Sequence, residues 1–174
     1  MESAQIMILG IGNILFSDEG FGIRVIERLM ENYQFPENIS VVDGGVLGMN
    51  LLGIISEADH LIVVDAVRTG GPPGTLIRME GEEIPARVRA KNSLHQVDFL
   101  EALTMCQALD KIPHTVILGV EPLDIETLSL DLTPQIQTKV DPMIELILKE
   151  ISPWGPSIQM RTFKDVPGHS VEDC

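Results

Sequence analysis

The sequence predicts an α/β fold: a single-domain, three-layer α/β/α arrangement with a mostly parallel twisted sheet of about five strands and helices on both faces. Two observations carry this. Short, almost uninterrupted apolar runs alternate with longer segments of helical periodicity, and Gly- or Asp-containing turns punctuate the boundaries. Strands buried on both faces read as continuous apolar runs, and crossover helices read as amphipathic stretches between them. The length of 174 residues suits one such domain.

The elements follow in order. Ile6–Ile11 is the first strand, and Glu19–Tyr33 the first helix, with Ile23, Ile26, Leu29 and Met30 on its apolar stripe. Ile39–Val42 is a short second strand that ends in Asp43-Gly44-Gly45. A short helix over Met49–Ser56 leads to a third strand, His60–Val64, ending in Asp65. The cluster Gly70-Gly71-Pro72-Pro73-Gly74 is a turn, and Thr75–Met79 reads as an edge strand. Glu80–Ala90 is polar and reads as loop, and Ser93 caps a helix running to about Leu109. Thr115–Val120 is a further buried strand ending in Glu121-Pro122. Thr133-Pro134 opens a last helix to about Ile151, with proline where its missing N–H costs nothing. The domain is thus expected over residues 1–151, followed by an irregular tail, 152–174, with three prolines and Trp154, the only tryptophan, to dock it.

Composition narrows the function. The formal charge is −14, from 26 acidic against 12 basic side chains. Such a surface repels phosphate backbones and anionic lipid, so neither nucleic acid nor membrane is an expected partner. It attracts cations and basic segments of a partner protein. The N-terminus shows no basic region ahead of an apolar stretch, and its apolar run is too short to span a bilayer. The two cysteines, Cys106 and Cys174, make no disulfide framework or zinc motif. A cytoplasmic protein is expected, and a monomer, since no exposed hydrophobic stripe demands a dimer.

The stretch GIGNILFSDEGFG, Gly10 to Gly22, joins a strand to a helix as phosphate-binding loops do, yet it carries Asp18 and Glu19 and no Lys or Arg. Other strand ends carry Asp43, Asp65 and Glu121, and His95 stands in the first turn after Ser93. In an open parallel sheet these carboxyl ends share one rim, where ligands collect. Singly, each residue has an ordinary reading: acids favour a helix N-terminus, and Asp-Gly forms turns. Together, Glu19, Asp65 and His95 offer two oxygen ligands and an imidazole, a set suited to a borderline divalent metal. Adjacent helical residues diverge by about 100°, so only one of Asp18 and Glu19 enters the site while the other caps or faces solvent. A dinucleotide fingerprint would need glycine at Leu15, although Asp43 does end the second strand; GxxxxGK[ST], HExxH and GxSxG are absent.

The motif Gly10-x-Gly12-Asn13-x-Leu15-x-x-Asp18-Glu19-x-x-Gly22 resembles the N-terminal signature of the nickel–iron hydrogenase maturation endopeptidases. Asp43-Gly44-Gly45, Val63-Val64-Asp65-Ala66, Ser93-x-His95-Gln96 and Gly119-Val120-x-Pro122 follow in the order and spacing of that family. One departure is Val46, where the family commonly has Thr. The resemblance implies an endopeptidase that removes the C-terminal extension of a hydrogenase large-subunit precursor once nickel has been inserted. It implies that nickel arrives with the precursor, that Glu19, Asp65 and His95 contact it, and that other divalent metals can take its place. It leaves two mechanisms: a metal-assisted one with Asp43 or Asp18 as general base, or carboxylate hydrolysis with nickel as a docking mark only. A nickel checkpoint module without hydrolytic activity, a Rossmann oxidoreductase and a self-sufficient metallopeptidase are the rival readings.

Overall fold

The computed structural model describes residues 3–45, 51–81, 84, 112–154 and 158–161. The strand β1 (Ile6–Ile11) is buried along its whole length. It lies between β3 (Ile39–Gly45) and β4 (His60–Ala66), both parallel to it. Beyond β4 comes β6 (His114–Val120), also parallel, and then β5 (Leu76–Glu80), antiparallel to β6 on the sheet edge. The sheet order β3-β1-β4-β6-β5 is that of a doubly wound fold. The mostly parallel five-stranded sheet is the one expected from the sequence.

Strand alternation builds two cores. Ile6, Ile8, Ile62, Val64, Val116 and Leu118 face α1 (Phe21–Asn32) and α4 (Val140–Ile151). Met7, Leu9, Leu61, Val63 and Ile117 face the other way, toward Ile55 of α2 (Leu51–Ile55). Helices therefore cover both faces. The α1 stripe buries Phe21, Ile23, Val25, Ile26 and Leu29, whereas Met30, expected on it, falls at the edge of the apolar arc and is exposed.

Two helical boundaries differ from expectation. Ser17–Gly20 forms a 3₁₀ turn, and the α-helix begins only at Phe21. The expected last helix is two: α3 (Pro134–Gln137) and α4. Pro142 explains the break, since in one continuous helix its ring would meet the carbonyl of Thr138 and its missing N–H would leave that carbonyl unbonded. In α4 it stands in the first turn instead, where that N–H has no intrahelical partner. The predicted helix Ser93–Leu109, with His95 and Cys106, lies outside the described residues, as do Val46 and Cys174.

Gly22 fixes how closely α1 approaches the sheet. A methyl group there would strike the carbonyl oxygens of Ile11 and Val64, so α1 starts against the ends of both β1 and β4. At the opposite, amino edge of the sheet, Trp154 stacks on His60 at 4.1 Å with the rings 7° from parallel, and His114 meets Trp154 edge-on at 5.6 Å. Beyond it, Gln159–Met160 (β7) pairs with Tyr33–Gln34 (β2). The Nδ1 of His60 has no hydrogen-bond partner among the described residues.

Burial against Trp154 pushes the His60 pKa down, the neighbouring His114 adds to this, and Asp59 opposes it. A depressed histidine binds its proton less readily docked than undocked, so docking is complete above about pH 6.5 and weakens as pH falls. Because Trp154 is the only tryptophan, its fluorescence reports the stack directly. Acidification from pH 7.5 to 5.5 is expected to red-shift the emission, and His60→Phe to abolish that shift; an acid-insensitive wild-type spectrum would contradict the assignment.

Candidate functional site

The order of the strands reverses at β1, so the carboxyl ends of β1 and β4 flank the topological switch point, the usual ligand crevice of such sheets. The turn after β1 forms one wall. Gly12 takes φ 138°, a conformation open to glycine, and a side chain there would strike the carbonyl of Glu19. Asn13 N–H donates to that carbonyl at 3.2 Å, folding the turn back on itself. The 3₁₀ turn carrying Glu19 packs against β4, whose Asp65 is buried at the strand end. Glu19 is half-buried. Glu19 and Asp65 thus stand on neighbouring elements at the switch point.

On the far side of β1, Asp43 pairs in register with Gly10, as Val64 does from β4. Asp43 and Asp65 therefore stand about two strand spacings apart, ~10 Å. Asp43 is exposed; its Oδ1 accepts the Gly45 N–H at 2.9 Å, and its other oxygen has no partner among the described residues. Among the described residues no three metal-binding side chains converge, and the third expected ligand, His95, lies outside them.

Asp18 has a different place from the one expected of a general base. It is completely buried. Oδ2 accepts the N–H groups of Leu123 at 3.0 Å and Asp124 at 2.9 Å, and Oδ1 accepts that of Thr133 at 2.7 Å. The Thr133 hydroxyl sits 3.0 Å from both oxygens. With both oxygens occupied and no water access, Asp18 holds the 121–133 loop over the β1–α1 turn rather than taking a proton from a substrate. Ser17, held at φ 48°, belongs to the same clasp: its N–H donates to Ser129 O at 2.8 Å and its hydroxyl to Asp131 O at 3.2 Å.

Glu121, noted in the sequence only as a strand-end residue, is a second buried clasp. Its carboxylate accepts the N–H and hydroxyl of Thr69, both at 2.6 Å, and the Gly70 N–H at 3.2 Å. A cleft among the described residues, between β5, β6 and α4, is lined by Leu118 and Leu146, and its Arg78 is already bonded to Glu150 at 2.7 and 3.0 Å. That cleft is structural.

Fold and sequence define a doubly wound α/β protein whose switch-point strand ends carry acidic residues where a phosphate-binding loop would carry none. The family profile of the hydrogenase maturation proteases matches residues 23–150. The chain belongs to the hydrogenase maturation protease family. The hydrogenase expression/formation protein HupD of Bradyrhizobium diazoefficiens is 39% identical over 160 residues, which are 91% of this chain and 83% of that protein. The hydrogenase 2 maturation protease of Escherichia coli is 36% identical over 153 residues, 87% of this chain and 93% of the relative. The structure of the hydrogenase maturating endopeptidase HybD from E. coli superposes with a TM-score of 0.86 at 34% identity, over 90% of this chain and 98% of its own. Membership makes the protein a peptidase of hydrogenase maturation and sets aside the oxidoreductase and the non-hydrolytic checkpoint. No described helix is long and apolar enough to cross a membrane.

Replacing Asp18 by Ala strands three backbone N–H groups and a hydroxyl, a loss of about 3 kcal/mol. Differential scanning calorimetry is expected to show Tm falling by about 6–12 °C. Asp43→Asn, at an exposed position, is expected to move Tm by no more than about 2 °C.

Proposed function

We propose that this protein removes the C-terminal extension from the large-subunit precursor of a nickel–iron hydrogenase after nickel insertion, and that nickel carried by the precursor is the recognition mark. Family membership supports the substrate class. The observation that supports the metal reading is that the 3₁₀ turn carrying Glu19 packs against β4, whose carboxyl end bears the buried Asp65. Acids gathered at one site repel unless a cation or proton intervenes. Glu19 and Asp65 supply hard oxygen donors, and His95, by its place in the family motif, supplies the imidazole.

In this reading the nickel is part of the substrate, and its capture orients the adjoining peptide at the rim. The precursor's bond then lies toward Asp43, which is exposed and keeps a carboxylate oxygen without a partner among the described residues. Asp43 takes a proton from the attacking water as its oxygen bonds to the scissile carbonyl carbon. The C–N bond breaks, and the proton passes to the leaving amine. Asp18 takes no part in the proton transfer, because its oxygens are saturated by the loop.

Incubation with purified nickel-loaded precursor tests the assignment. Glu19→Gln, Asp65→Asn and His95→Ala are each expected to slow cleavage at least about a hundredfold, as loss of a metal contact worth several kcal/mol would. Their circular dichroism is expected to stay native. A native-like variant that cleaves at the wild-type rate would remove that residue from the site.

A further inference from the structure

The clasp around Asp18 leaves a group of leucines in water. Leu128 is 75% exposed, Leu130 56%, and Leu15 and Leu123 50% each. Local pairing gathers them. Phe16 bridges Ser129 in parallel sense; Ser129 N–H donates to Leu15 O at 2.9 Å and Ser17 N–H to Ser129 O at 2.8 Å. Leu15 is thereby set beside Leu128, on the side opposite Phe16 and Ser129, and Leu130 follows Leu128 on that side by alternation, whereas Ser17 turns inward. Leu123 is fixed at the other end of the loop through its N–H bond to Asp18.

The segment is also firmly held. Arg24 donates to Leu130 O at 2.7 Å, and Leu132 is buried beneath. An ordered loop that presents leucines to solvent gains nothing for the fold from them, and exposed leucines gathered on one such segment mark an interaction site. The loop's own charge has one sign, with Arg24, paired to Glu27, and Arg68, near Asp124, as the cations beside it. From Glu121 to Thr133 the loop carries Glu121, Asp124, Glu126 and Asp131 and no Lys or Arg. Asp124 is held ionised by the Thr127 hydroxyl and the N–H groups of Thr127 and Glu126, which lower its pKa. Leu15 lies in the same turn as Glu19, so the patch borders the crevice.

We propose that Leu15, Leu123, Leu128 and Leu130 form a docking surface for the large-subunit precursor, receiving a segment with an apolar face flanked by lysine or arginine. This rests on the function proposed above and adds a second contact to the metal. Apolar contact at the centre supplies affinity, and the loop's outward acids, Asp124, Glu126 and Asp131, select and steer a basic flank. Recognition then has two parts, nickel at the crevice and the leucine surface beside it, so that nickel alone is not enough to admit a protein.

The test uses the full chain with Leu128→Ser and Leu130→Ser combined, and separately Glu126→Lys, each at an exposed position. With nickel-loaded precursor, the double variant is expected to raise KM about tenfold or more at nearly unchanged kcat and Tm, as loss of central interface contacts does. Glu126→Lys is expected to raise KM severalfold and to flatten its dependence on salt. KM values within twofold of wild type in both variants would overturn the proposal. Titration calorimetry of the same precursor separates this from the function itself. If wild type binds without cleaving, the peptidase reading fails, and binding about tenfold weaker in the double variant still supports the surface. Equal binding by both overturns it. Sedimentation of wild type as a dimer that the double variant abolishes would assign the patch to a second copy, and so also overturn it.

Discussion

One buried carboxylate organises the functional edge of this protein. Asp18 joins two segments that lie far apart in sequence, the β1–α1 turn and the 121–133 loop, and also reaches the start of α3. A charge removed from water is costly unless hydrogen bonds replace its solvation. Here three backbone N–H groups and a hydroxyl do so. Thr133 shows how the surroundings yield to this need. It occupies the N-cap position of α3 but makes no side-chain capping bond, because its hydroxyl is given to Asp18.

The geometry of the crevice follows from that clasp. Holding Asp18 and Ser17 under the loop tightens the chain into a 3₁₀ turn, delays the α-helix to Phe21 and sets Glu19 on the β4 side. Gly12 and Gly22 let the turn and the helix approach backbone that any side chain would meet. Of the two adjacent acids, Asp18 is bound into the loop and Glu19 stands on the β4 side. On the function proposed above, the carboxylates line the loop because it receives a cation, where a phosphate loop would present N–H groups to an anion.

Much of this was legible in the sequence. Strands buried on both faces read as apolar runs, and β1, β4 and β6 were found within a residue or two because nothing else in the chain has that texture. Glu19, Asp43 and Asp65 stood out because strand ends in such a sheet share a rim. The function of Asp18 was not legible: its partners are backbone groups 105 to 115 residues away, which no local pattern marks. Pro142 was readable as a helix breaker but was hidden inside an otherwise continuous apolar period. The two-residue pairing of β2 with β7 has no periodicity to find. Leu128, Leu130 and Leu132 alternate with polar residues like a strand, and only the structure shows two of them in solvent and the third in the core.

On the function proposed above, the acidic rim reads nickel on a precursor before the peptide bond is cut. The intact mass of purified large-subunit precursor, nickel-loaded and nickel-free, after incubation with this protein tests it most directly. The account predicts loss of a single C-terminal peptide from the loaded form alone. Equal cleavage of both forms, or an uncut loaded form, would contradict it.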